Sequence, residues 1–305
     1  MTISRYILAP LAAVALIAAG CGGDDDGDSA ATPEEPAAEE TAADDEQAEA
    51  ETPAAGACDP LPTHEEGVLT VATGEPVFEP WMVDDDPTNG QGFESALVYE
   101  LADELGFAEG DVEWVRTGFD EAIAPGEKPY DFNIQQYSIT EERAEVVGFS
   151  IGYYQVQQAL VADPENPVAD ATSLADLTSA QLGAAVGTTS LDYIDRVIQP
   201  DSDAQVYDDN AAAKAAFDAG QVDGIVFDLP TAYFITAVEI PDAEIVGVLP
   251  RVGETPEELG LLFEKDDPLI ECVNPALQAL HDDGTIAALE EEWLAQGGDI
   301  PTLEE

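Results

Sequence analysis

Apolar positions recur with two spacings along the chain, and together they predict alternating strands and helices from residue 68 onward. Residues 68–73, VLTVAT, are β-branched and alternating, which predicts a first strand. Apolar side chains at 93, 97, 98, 101 and 105 share one helical face, and Gly106 ends that helix. A second strand is predicted over 112–115, then a short helix over 120–124 broken by Pro125 and Gly126. A strand and its turn follow over 131–138, after which Thr140 is placed to cap a helical turn carrying Glu141, Glu142 and Arg143. Between the first strand and helix, Asn89 and Gly90 read as a hairpin turn signal. Further strands are predicted over 157–162, 182–186, 206–207, 222–227, 244–248 and 259–264. Helices fall between them over 191–198, 210–219 and 229–238, and two more close the chain over 267–283 and 285–295.

The order β-α-β-α-β occurs twice, which predicts two parallel, doubly wound α/β sheets. The second is inserted in the first, with chain crossings near 155–160 and 250–258. The expected first lobe is 58–157 with 254–305, and the second is 158–253. Ligands of open α/β sheets bind beyond the carboxyl ends of the strands, so two facing edges make a cleft able to close about a hinge.

Residues before 58 belong to neither lobe. An apolar run over 6–20 follows Arg5 and is short for a membrane span, so 1–20 reads as a secretory leader. It ends Ala18, Ala19, Gly20, Cys21, which resembles the bacterial lipobox and implies that Cys21 is diacylated and anchored in the membrane. Residues 22–57 contain thirteen carboxylates and no Lys, Arg or aromatic residue, the composition of an extended, self-repelling tether. The whole chain has 66 acidic against eight basic residues, which leaves 53 acids against seven bases over 58–305. That balance excludes nucleic acid and anionic membrane surfaces as partners, because nothing could replace their counterions. Cys58 and Cys272 form an even pair in an exported chain and are expected to be disulfide-bonded. Neither His64 nor His281 stands at zinc-ligand spacing with them, and both read as surface residues, so no metal is expected.

Cations are scarce, so the setting of Arg143 is informative. It follows a hydroxyl-rich run, Gln135, Gln136, Tyr137, Ser138, Ile139 and Thr140, at the end of a predicted strand. A guanidinium there offers a rigid fork suited to a carboxylate. From the second half, Thr188 and Thr189 open a helix whose free amides suit an anion. Asp228 ends a strand and is placed to accept from an ammonium. Phe78 and Trp81 lie in the loop after the first strand. The set describes a socket for a zwitterion, with Arg143 and the Thr amides at the carboxylate and Asp228 at the amine.

The motifs occur in a characteristic order. After Val71 to Trp81 come Gly92, Phe93 and Glu94, then Ser138-Ile139-Thr140-Glu141-Glu142-Arg143. Gly187-Thr188-Thr189, the run 220–228 ending in Asp228, and Asp283-Gly284-Thr285-Ile286 with Trp293 complete it. This resembles the polar amino acid-type, family 3, extracellular solute-binding proteins of ABC importers, over about 66–296. The resemblance implies a two-lobe periplasmic-binding-protein-like (type II) fold, with Arg143 on the ligand carboxylate and Asp228 on its amine. Phe78 would take the aromatic role, and Gln135, Gln136 and Tyr137 would reshape the side-chain pocket ahead of Ser138. It further implies an exported protein that delivers a small amino acid to a membrane permease, and the protein, anchored through Cys21, is expected to be a monomer. A sensory module, or a binder of a compatible solute or simple carboxylate, are the alternatives. No cofactor fingerprint or catalytic motif is present, so an enzyme is not expected.

Overall fold

The computed structural model describes residues 58, 60–294 and 300–305. The leader, Cys21 and the tether lie outside the described residues. The strands are β1 (Leu69–Thr73), β2 (Val112–Arg116), β3 (Phe132–Asn133), β4 (Gly148–Val156), β5 (Gln158–Ala162), β6 (Leu182–Ala185), β7 (Gln205–Tyr207), β8 (Gly224–Asp228), β9 (Glu244–Val248) and β10 (Glu257–Phe263). Helices α1 (Phe93–Glu104), α2 (Phe119–Ile123) and α3 (Glu141–Ala144) precede β4. Helices α4 (Thr189–Tyr193), α5 (Asn210–Asp218) and α6 (Leu229–Phe234) lie between β6 and β9, and α7 (Ile270–Asp282) and α8 (Thr285–Leu289) close the fold.

Two five-stranded sheets form, ordered β2-β1-β3-β10-β4 and β7-β6-β8-β5-β9. The strands linked by helical crossovers are parallel, with β1 beside β2 and β3, and β6 beside β7 and β8. However, β10 runs antiparallel to β3 and β4, and β5 antiparallel to β8 and β9. The sheets are therefore mixed rather than purely parallel. The physical reason is the insertion itself: β5 and β10 each arrive directly from the other sheet, without a crossover helix to turn the chain back.

One strand goes beyond the sequence expectations, and two further expectations need correction. The nine-residue strand β4 was not predicted, because Gly148 and Gly152 interrupt its alternation and its register with β10 shifts at Leu259/Gly260 and Gly260/Leu262. Asn89 and Gly90 do not join two strands; they end a short helical turn, Pro87–Asn89, with Gly90 at φ 67°. The C-terminal tail does not stay with the first lobe. Pro301 O accepts from Val248 N at 2.8 Å and Leu303 N donates back to Val248 O at 2.9 Å, so the tail covers the free edge of β9.

Alternate residues of the inner strands pack on opposite faces. Leu160 and Val226 join Leu182 and Ile194 on one face of the second sheet. Ala159, Val161, Ile225 and Phe227 join Phe217 on the other. Covering both faces explains why β5 and β8 read as near-continuous apolar runs. In the first lobe, Leu69, Val71 and Phe132 pack with Phe93, Leu97 and Leu101 of α1 and Val273 and Leu277 of α7. Cys58 and Cys272 are bonded, with Cα atoms 5.9 Å apart, which ties the N-terminal arm to α7. Among the described residues, no helix is long and apolar enough to cross a membrane.

Candidate ligand-binding cleft

Thr140 caps α3 and sets the direction of Arg143. Its Oγ1 accepts from Arg143 N at 3.1 Å, as the hydroxyl-then-acid pattern predicts. The Arg143 side chain turns inward and is only 7 % exposed. Its Nη1 donates to Ser138 O at 2.8 Å, and its Nη2 crosses to the second lobe and donates to Gly187 O at 2.9 Å. The guanidinium lies 5.4 Å from the Phe119 ring centre. No carboxylate among the described residues pairs with it. Burial pulls its pKa down, but arginine remains a cation, so a buried positive charge feels Glu257, Asp192 and Asp228 at a distance with no described carboxylate in contact.

The second lobe faces it with Thr188, Thr189 and Asp228. Thr188 caps α4, its Oγ1 accepting from Leu191 N at 3.2 Å and donating to Ala185 O at 2.8 Å. Its hydroxyl is therefore engaged. Thr189 Oγ1 lies 3.3 Å from Ser138 Oγ, a contact between the lobes. Asp228 ends β8 and stands at the N-cap of α6, but its side chain makes no capping bond. Instead its Oδ1 accepts from Gln158 Nε2 at 2.8 Å. Burial, and then the nearby Glu257 charge, push the Asp228 carboxyl up to about 7, against the pull of Gln158 and Arg143.

These residues line one cavity between the lobes, about 640 Å³ counting its open mouth. Phe78, Gln135, Gln136, Ser138 and Arg143 come from the first lobe, and Thr188, Thr189 and Asp228 from the second. Gln136 sits at φ 50°. Trp81 is not among them. It is 1 % exposed, packs edge-on against Phe93 and Tyr154, and donates from Nε1 to Thr231 Oγ1 at 2.9 Å. Its indole needs a buried partner, and the nearest hydroxyl is in α6 of the second lobe. Trp81 is thus an interlobe tie rather than a cavity residue. Trp81→Phe is expected to lower stability by about 1 kcal/mol through loss of that bond, with little change in ligand affinity. Thermal unfolding with and without ligand measures both.

Three polar residues received no site role from the sequence. Gln158, buried in β5, holds Asp228 and accepts from Ser190 Oγ at 2.5 Å. It is polar in an otherwise apolar strand, which was a usable signal. Glu257 accepts from Ser138 Oγ at 2.6 Å, and lies just ahead of the apolar run that marked its strand. Glu94, fully buried, accepts from Gln136 N at 2.9 Å, from the Gln136 amide and from Tyr153 Oη at 2.5 Å. It stood in the Gly92-Phe93-Glu94 motif, but an acid in a first helical turn is common, so its place there gave it no role. Burial raises its carboxyl to about 7.

A match to the bacterial extracellular solute-binding proteins, family 3, spans residues 69–296. The chain belongs to that family. Among its relatives, the L-cystine-binding protein TcyJ of Escherichia coli (strain K12) is 26 % identical over 240 residues, covering 77 % of this chain and 85 % of that protein. The solved structure of an ancestral arginine-binding protein bound to arginine is 29 % identical, with a TM-score of 0.64, and covers 75 % of this chain and 99 % of its own. Similar too is AncCDT-1, an ancestral amino acid-binding protein and precursor of cyclohexadienyl dehydratase, at 29 % identity and a TM-score of 0.63 over 75 % of this chain and 96 % of its own. The family 3 protein therefore has the two-lobe periplasmic-binding-protein fold expected from its sequence, and it comes from a family of extracellular solute binders.

Proposed function

We propose that the family 3 protein captures a small amino acid between its lobes and delivers it to an ABC permease, held at the cell surface by a lipid on Cys21. The observation that carries this reading is Arg143, a buried guanidinium facing the cavity without a described carboxylate partner. The ligand's α-carboxylate supplies the missing anion, in reach of Ser138, Thr188 and Thr189. Its ammonium goes to Asp228, with Phe78 and Gln136 along the side chain. Contacts to both lobes favour the closed form by their differential affinity, and that form is the one a permease reads. Relatives named for cystine and arginine support an amino acid rather than a sugar or ion. The protein acts as a monomer, with lobes 58–157 plus 254–294 and 158–253 plus the tail.

Titration calorimetry over the proteinogenic amino acids tests this directly. At least one is expected to bind to the wild type, and no binding by any of them would overturn the reading. Asp228→Ala is expected to weaken that ligand by at least about 2 kcal/mol, because it leaves a buried ammonium unpaired. The same carboxyl makes binding pH-dependent. An ammonium pairs with the ionised form, so affinity holds above about pH 7 and falls as pH drops through that value, up to about tenfold per unit. Stability of the empty protein runs the other way. Asp228 and Glu94 keep their protons to about 7 when folded and lose them near 4 when unfolded, so that contribution fades as pH rises from about 4 to 7.

A carboxyl raised to about 7 in a cleft also suits a general acid, and AncCDT-1 is named as a dehydratase precursor, which favours dehydration as a second reading. Mass spectrometry of the ligand after long incubation separates the two. Capture returns it unchanged, and a dehydratase returns it short of water.

A further inference from the structure

We propose that the cleft has a second chamber beyond Phe78, and that the solute is a bis-amino acid carrying an amino-carboxylate group at each end. The proposal rests on the reading of Arg143 and Asp228 as the first socket. A second cavity, about 660 Å³ counting its mouth, shares Phe78 and Asn210 with the first. It too is walled by both lobes, with Val77 and Met82 from the loop after β1, and Lys214 of α5 and Glu239 after α6 from the other side. Lys214 Nζ lies 3.5 Å from Glu239 Oε2.

Acids in the wall carry little weight in a chain with 53 of them beyond the tether, but a cation does. Of the seven basic residues there, Arg143 lines one chamber and Lys214 the other. Each chamber therefore holds one cation among several carboxylates, Asp208, Asp209 and Asp228 around the first and Glu79, Asp84, Asp85 and Glu239 around the second, and a cation beside an acid is the pair that an amino-carboxylate group matches. The two chambers share Phe78 and Asn210, with Val77 and Ile235 on the second chamber's side, and the Phe78 ring suits an uncharged linker passing between them. A single-headed amino acid engages only Arg143 and Asp228, and leaves Lys214 and Glu239 as a partly solvated pair of small worth. A second head replaces that pair with two, its carboxylate on Lys214 and its ammonium on Glu239.

The test is calorimetry at pH 8 with L-cystine as the double-headed probe and S-methyl-L-cysteine as the single-headed one. L-cystine is expected to bind at least tenfold more tightly. Lys214→Gln and Glu239→Gln are each expected to remove most of that excess while S-methyl-L-cysteine stays within twofold of wild type. Equal affinity for the two probes overturns the proposal, as does a Lys214→Gln variant that keeps the whole excess or weakens both probes alike. Arg143→Gln separates this from the parent reading. If it abolishes binding of both probes while Lys214→Gln changes neither, only the second chamber is lost. If S-methyl-L-cysteine binding survives Arg143→Gln unchanged, the first socket fails and the proposal with it.

Discussion

Replacing Arg143 with glutamine is expected to weaken amino-acid binding by at least about a hundredfold, close to 3 kcal/mol. The residue is buried, has no carboxylate partner among the described residues, and spends one donor on each lobe. A guanidinium has five N–H donors, and two bonds to carbonyls leave others for a ligand. The rival account makes Arg143 a structural tie, holding Gly187 against Ser138. The two differ in what moves. A tie alone predicts a lower unfolding temperature without ligand and an affinity loss no larger than the closing bonds supply, about 1–3 kcal/mol for two of them. A ligand contact predicts that Arg143→Lys, which keeps the charge but loses the fork, recovers part of the affinity. It also predicts that the variant loses its ligand-induced rise in melting temperature, beyond whatever lowering the loss of the two carbonyl bonds brings to the ligand-free protein.

Breaking the Cys58–Cys272 bond is the second large effect, and it acts on stability rather than binding. The bond closes a loop across a sequence separation of 214 residues. In the chain-entropy account, releasing such a loop in the unfolded chain lowers stability by about 5 kcal/mol, a large part of what a typical domain has. Neither cysteine lines the cleft. The double serine variant is therefore expected to unfold at markedly lower urea than the wild type, yet to bind ligand with unchanged affinity where folded. Urea titration with paired calorimetry checks this, and an unchanged midpoint would mean the bond adds no constraint beyond the packing of α7.

The fold was legible where periodicity was strong and local. The alternation at 68–73, the helical face at 93–105 and the cap at Thr140 each fix an element from nearest neighbours alone. Strand β4 was not legible because its glycines and bulged pairing to β10 are a tertiary arrangement. The antiparallel placement of β5 and β10 is likewise a consequence of the insertion, which no single segment records. In the cleft, Arg143 stood out because cations are scarce in this chain, and Asp228 because it ends a strand. Glu94 and Glu257 did not, since one more acid in so acidic a chain carries no signal until its contacts single it out, while Gln158 was marked only by being polar in an otherwise apolar strand. Trp81 misled for the opposite reason. An aromatic in a loop next to a cleft suggests a ligand face, and only the Thr231 hydroxyl across the seam gives its indole a different use.

The central claim is that one lobe grips the acid end of the solute and the other its amine. It is tested most directly by titrating three compounds against the wild type: the amino acid that stabilises it most, the matching amine without its carboxylate, and the matching acid without its amine. The account predicts that both analogues bind at least about thirtyfold more weakly, the loss of roughly 2 kcal/mol at either end. An analogue that binds as tightly as the parent would contradict it, and would name the end that no lobe holds.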